Sequence, residues 1–274
     1  MKPPVTPEAL YRALDRELAR APIDLAEAAL LLAALDCPEA RLDDYRAHLD
    51  TLASDVGVAA EGIDDPVAAL NTVLFDRHGY DGARESYDDL DNVNLIRVID
   101  RRRGLPVSLS ILYLHAARAR GWSAAGLNFP GHFLVRVGDG AGRVIVDPFH
   151  RGRRLSPERM RALLKKTNGP DAELRPEHYD AASDRAVLLR LQNNVKLRAV
   201  QGQDYDRAIR ALTAMIHLAP DRFENHCDIA MLHAHRGNVI TAIEVLETVI
   251  AQSPDATLRQ RATGLLTTLR RRLN

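Results

Sequence analysis

Apolar residues recur at helical spacing through the first third of the chain. TPEALYRALDRELAR predicts a helix capped by Thr6 with Pro7 at its first position. DLAEAALLLAALD (24–36) is apolar enough for a buried helix that stops before Pro38. A third helix is expected over 39–55. A fourth starts in DDPVAALNTVLFDRHG, with Asp65 as cap and Gly79 as stop. The stretch 81–104 opens as a polar loop and turns amphipathic near Leu95. In LPVSLSILYLHAARARGW (105–122), Leu109, Leu112 and Ala116 share one helical face. The period then changes to that of strands in HFLVRV and RVIVDPF, joined by GDGAG, which predicts a hairpin. SPERMRALLKK returns to helix, with Ser156 and Pro157 as its start, and 166–183 reads as a linker.

Beyond the linker the pattern repeats. DYDRAIRALTAMIHLAPD (204–221) aligns with NVITAIEVLETVIAQSPD (238–255), and Ala208–Ala242 and Pro220–Pro254 are each separated by 34 residues. A small residue permits close helix approach and a proline forces a stop, so this period resembles tetratricopeptide repeats. Two repeats and a last capping helix, ATLRQRATGLLTTLRRRL, would bury a continuous seam. Such arrays offer a surface and carry no chemistry of their own.

Composition narrows the class. The 274 residues are 46% hydrophobic and 27% charged, as expected of a soluble globular protein. No apolar run approaches the roughly 20 residues of a membrane span. MKPPVTPEALYRAL lacks the apolar core of a signal peptide, and two cysteines imply no disulfide framework. A cytoplasmic location is expected. The zero net charge hides an asymmetry: residues 1–100 hold 9 Lys and Arg against 21 Asp and Glu, and 101–274 hold 28 against 16. The basic residues concentrate in 101–104 and 147–166. They could meet an anionic ligand or be neutralised by the acidic half. Without interleaved aromatics for base stacking, nucleic-acid binding is not expected.

Candidate chemistry centres on the hairpin. If Val137 pairs with Gly142, His132 falls opposite Asp147, on a face shared with Leu134 and Ile145; a one-residue slip would place Pro148 there instead. Asp147 could then orient the imidazole as the third member of a triad does. The other reading is a hydrogen-bonded histidine at a core edge. Arg151, Arg153 and Arg154 follow directly, either as a clamp for a carboxylate or phosphate or as a solvated loop. His226, Cys227, His233 and His235 lack the spacing and third ligand of a metal site, so neither metal nor cofactor is expected.

The motifs N-x-x-L-x-x-V-I-x-R-R-x-G-L-P-V-S-L-S-I-L-Y, F-P-G-H-F-L-V-R and D-P-F-x-x-G resemble the bacterial SirB family. That family joins a divergent transglutaminase-like domain, papain-like in arrangement, to C-terminal tetratricopeptide-type repeats. The resemblance implies an α+β, mainly helical fold with a small antiparallel sheet over 1–178, followed by an α-solenoid over 184–274. It also implies a site of Cys, His and Asp. His132 and Asp147 match two of these, but the cysteine position falls on Pro106. Cys37 lies in the helical N-terminal region and Cys227 inside a repeat helix, both read as small buried residues. Ser108 is the only stand-in, either as nucleophile or as a cap of the helix that starts at Pro106. Tyr87, Asp91 and Asn92 match the family's segment before that helix and would line the same cleft. Two functions follow. One is a non-catalytic pseudoenzyme that binds a protein or peptide through 184–274. The other is a hydrolase or acyl-transfer enzyme using Ser108, His132 and Asp147.

Overall fold

The computed structural model describes residues 6–273; residues 1–5, the start of the stretch weighed above as a leader, lie outside them. The chain divides into two compact units, Met1–Leu191 and Gln192–Asn274. Among the described residues there are twelve α-helices and six short strands. No helix among them is long and apolar enough to cross a membrane.

Helix starts in the first unit follow local hydrogen bonding. Helix α1 (Pro7–Leu18) is capped by the Thr6 hydroxyl, which accepts from Ala9 N–H, and α2 (Leu25–Ala34) by Asp24. Helix α3 (Leu42–Ala60) starts later and runs further than 39–55, continuing through Gly57, which is buried against the Arg120 side chain. Helix α4 (Pro66–Asn71) starts on Asp65 and passes into a π-helical turn, Thr72–Arg77. Gly79 follows at φ +72°. Helix α5 (Leu95–Arg101) leads to α6 (Pro106–Ala119), whose residues from Pro106 to Leu114 are all buried. Helix α6 is therefore the centre of the unit: α2, α3, α4 and the sheet all pack against it.

Strands β1 (Asp81–Gly82) and β2 (Arg103–Gly104) form a short parallel pair. Strands β3 (Ala124–Gly126), β4 (Val135–Val137), β5 (Val144–Asp147) and β6 (Arg153–Arg154) form an antiparallel sheet in that order. The hairpin corrects the expected register: Val137 pairs with Val144, not Gly142. The loop takes in Gly138 through Arg143 because Gly138 turns at φ +84° and a 3-10 turn occupies Gly140–Gly142. The change is an even number of residues, so the alternation of faces survives. Leu134 and Ile145 still pack together, against Met160 and Leu164 of α7 (Pro157–Asn168).

The second unit begins within α8 (Asp184–Gln201) and continues through α9 (Tyr205–Leu218), α10 (Phe223–His235), α11 (Val239–Gln252) and α12 (Ala256–Leu273). Helices α9 and α11 start and stop 34 residues apart, the period read from the sequence. Ala208 and Ala242 are fully buried. Cys227, Ala230, Ala242, Leu246 and Leu266 build a core from α10, α11 and α12.

Candidate functional site

Asp147 ends β5 and opens a 3-10 turn, Pro148–His150, whose first free N–H it caps: Phe149 N donates to Asp147 Oδ1 at 3.0 Å. The other carboxylate oxygen, Oδ2, meets two imidazoles. His132 Nε2 lies 2.9 Å away and His150 Nδ1 2.7 Å. His132 sits in the bend before β4, so the pair meets beyond the ladder and not directly across it. Asp147 is 2% exposed and His132 8%, whereas His150 is partly open to solvent. Burial alone would raise the Asp147 carboxyl, but the hydrogen bonds and charges of the two histidines outweigh it and hold it at about 2.

Two supports fix this cluster. Arg190 of α8, itself desolvated, donates to Phe129 O at 3.0 Å and His132 O at 2.7 Å, and lies over the Phe133 ring. It holds the backbone on both sides of Gly131. On the other side, Arg151 and Gly152 turn at φ +56° and +67°, and Gly152 N returns to Asp147 O at 2.9 Å. Asn71 donates to Gly152 O at 3.1 Å and accepts from the Tyr113 hydroxyl of α6 at 3.1 Å. The histidine turn is thereby pinned to the central helix.

Ser108 stands apart from the cluster. Its hydroxyl donates to Asn92 O at 2.7 Å and accepts from Leu105 N–H at 3.0 Å, and the residue is fully buried. No hydrogen bond among the described residues joins it to His132. Asn92 is equally buried; its amide donates to Ser86 O. Tyr87 reaches the cluster through an aromatic chain: its ring meets Phe149 edge-on at 5.9 Å, and Phe149 meets His132 at 6.0 Å. The arginines point to acidic partners: Arg151 to Asp76 at 2.6 Å and Arg154 to Asp65; Arg153 is exposed. Arg101 likewise pairs with Asp89 and Asp91. These pairs join the acidic first hundred residues to the basic segments beyond them.

Sequence reasoning missed His150 and Arg190. His150 follows Asp147 by three residues in D-P-F-H, the reach of one 3-10 turn, so a proline after the aspartate was its available signal. Arg190 had none, lying 58 residues from the carbonyl it binds. His132, Asp147 and His150 each offer one ligand atom, all within 4.8 Å of one another. A recess of about 620 Å³ lies elsewhere, lined among others by Tyr45, His48, Arg97, Asp100 and Arg102. It shares no residue with the cluster.

Residues 43–193 match the family described as the transglutaminase-like superfamily, and residues 195–267 match a tetratricopeptide repeat family. A UPF0162 protein of Xylella fastidiosa is 31% identical over 191 residues, 69% of this chain and 68% of its own. A UPF0162 protein of Pseudomonas aeruginosa is 32% identical over 216 residues, 76% of this chain and 77% of its own. Protein SirB1 of Salmonella typhimurium is 23% identical over 236 residues, 86% of this chain and 87% of its own. The resemblance drawn from the sequence motifs is borne out.

Proposed function

This chain belongs to the transglutaminase-like superfamily, and from that membership we propose that it is a non-catalytic member whose repeats bind a protein or peptide in the cytoplasm. A transglutaminase-like domain joined to tetratricopeptide repeats fits a regulatory or interaction module. The observation that carries the non-catalytic reading is the Ser108 hydroxyl. A serine nucleophile needs a base within about 3.2 Å of its oxygen, and this hydroxyl is bonded instead to Asn92 O and Leu105 N–H. Pro106 supplies no nucleophile, and both cysteines are buried.

A binding role draws support from the second unit. Leu197, Val200, Met231 and Ile240 are four of the six large hydrophobic side chains left exposed among the described residues, and Ile240 is 70% exposed. Exposed apolar side chains concentrated on a repeat array suit a partner with an apolar face. The test treats the full chain with a serine-directed fluorophosphonate and a thiol-directed probe. Neither should label it. Fluorophosphonate labelling that disappears in Ser108→Ala would overturn the reading. For the binding role, a partner recovered by the wild type should be lost with Ile240→Glu and Met231→Glu. Partners held equally by that variant would exclude these two side chains as contacts.

A further inference from the structure

We propose that His132 Nε2, Asp147 Oδ2 and His150 Nδ1 form a site for a first-row divalent cation of the zinc class. This goes beyond the repeat-binding role and is independent of it. The donors are two imidazole nitrogens and one carboxylate oxygen, a set that suits zinc, cobalt or iron(II). Calcium and magnesium prefer oxygen alone.

The spacing needs an opening of only about half an ångström between each imidazole nitrogen and the carboxylate oxygen. Zinc bonds of about 2.1 Å in a tetrahedron set donor atoms about 3.4 Å apart. The two histidine–aspartate separations are 2.9 and 2.7 Å, and all three donors lie within 4.8 Å. A cation would take the place of the hydrogen bonds between nitrogen and oxygen, each imidazole binding it through the nitrogen that faces Asp147 and carrying its one proton on the other nitrogen. Three protein ligands leave a coordination position for water, and the partly exposed His150 gives an entry path.

The donors are also fixed before any ion arrives. Asp147 Oδ1 is held by Phe149 N–H, so its other oxygen is oriented. Arg190 holds the backbone at His132, and Asn71 holds the turn after His150 through Gly152 O. The Phe149 N–H bond to the carboxylate is an outer contact of the kind that typically contributes 10–100-fold to metal affinity. Among the described residues no other set of three or more such donors converges in this way, the α10 histidines included.

The test uses the full chain stripped with a chelator and titrated with Zn²⁺ by calorimetry, then with Co²⁺ followed by visible absorption. One equivalent should bind, and cobalt should give the d–d bands of a low-coordinate nitrogen–oxygen site. His150→Ala should weaken zinc at least about tenfold while keeping the wild-type circular dichroism, since that side chain is partly exposed. Asp147→Asn should weaken it further. A stripped wild-type chain that takes up no zinc would overturn the proposal. So would a folded His150→Ala chain that binds as tightly as the wild type, or displacement of zinc by millimolar Mg²⁺.

Discussion

Replacing Ser108 by alanine removes a buried hydroxyl from the start of α6. The hydroxyl's one proton, shared between Asn92 O and the more distant Leu105 O, and the bond it accepts from Leu105 N–H disappear. Neither backbone group is orphaned, because Leu105 N–H also reaches Asn92 O at 2.9 Å. The loss therefore sits at the ordinary level of roughly 0.5–1.5 kcal/mol per bond. Alanine returns about 0.5 kcal/mol of helix propensity, which leaves a net loss of roughly 0.5–2.5 kcal/mol. For a unit of this size that is a fall in Tm of about 1–10 °C. The single tryptophan, Trp122, lies in the first unit, so its fluorescence in urea reports on that unit. A change below about 0.5 kcal/mol would refute the assignment of Ser108 as a structural anchor, because a hydroxyl free for chemistry contributes little to stability.

Gly152→Ala should cost about 2–5 kcal/mol, from a left-handed backbone at φ +67° and overlap of the new methyl with Asn71 Oδ1; the urea midpoint read from Trp122 measures it. His48 is held low, at about 4, by burial, by the Arg102 guanidinium 2.9 Å away and by His78, with Asp55 opposing them. The unfolded chain thus binds this proton first, so its contribution to stability is present above about pH 6.5 and drains away toward pH 4. His48→Gln should flatten that part of the stability–pH curve, and an unchanged slope would exclude His48 as its source. Ala242→Leu overpacks a fully buried position in the second unit and should cost about 1–3 kcal/mol. Helical circular dichroism followed in urea should show the loss as a lower midpoint, and an unchanged midpoint would refute it.

What could be read from the chain is what short-range forces decide. The caps at Thr6, Asp65 and Ser156 are hydrogen bonds to residues two or three positions on, and a proline at the first helical position reinforces each. The 34-residue repeat was legible for the same reason: each helix contacts its sequence neighbours, so the period of small residues and prolines is the period of the packing. The alternation of Leu134 and Ile145 with their neighbours named the faces of the hairpin correctly.

The site itself needed contacts that no local rule reaches. The hairpin register depended on how many glycine-loop residues joined the turn, a matter of a few backbone angles. Ser108 could be a nucleophile or an anchor until Asn92, 16 residues away, was seen to accept its hydroxyl. Arg190 holds His132 from a distant helix, and its effect depends on desolvating a guanidinium among carbonyls. Sequence alone determined which elements form and that a histidine and an aspartate would lie near one another. Only the tertiary structure decided that a second histidine joins them while the serine does not, because buried polar groups take whichever partners the packed fold leaves within about 3 Å.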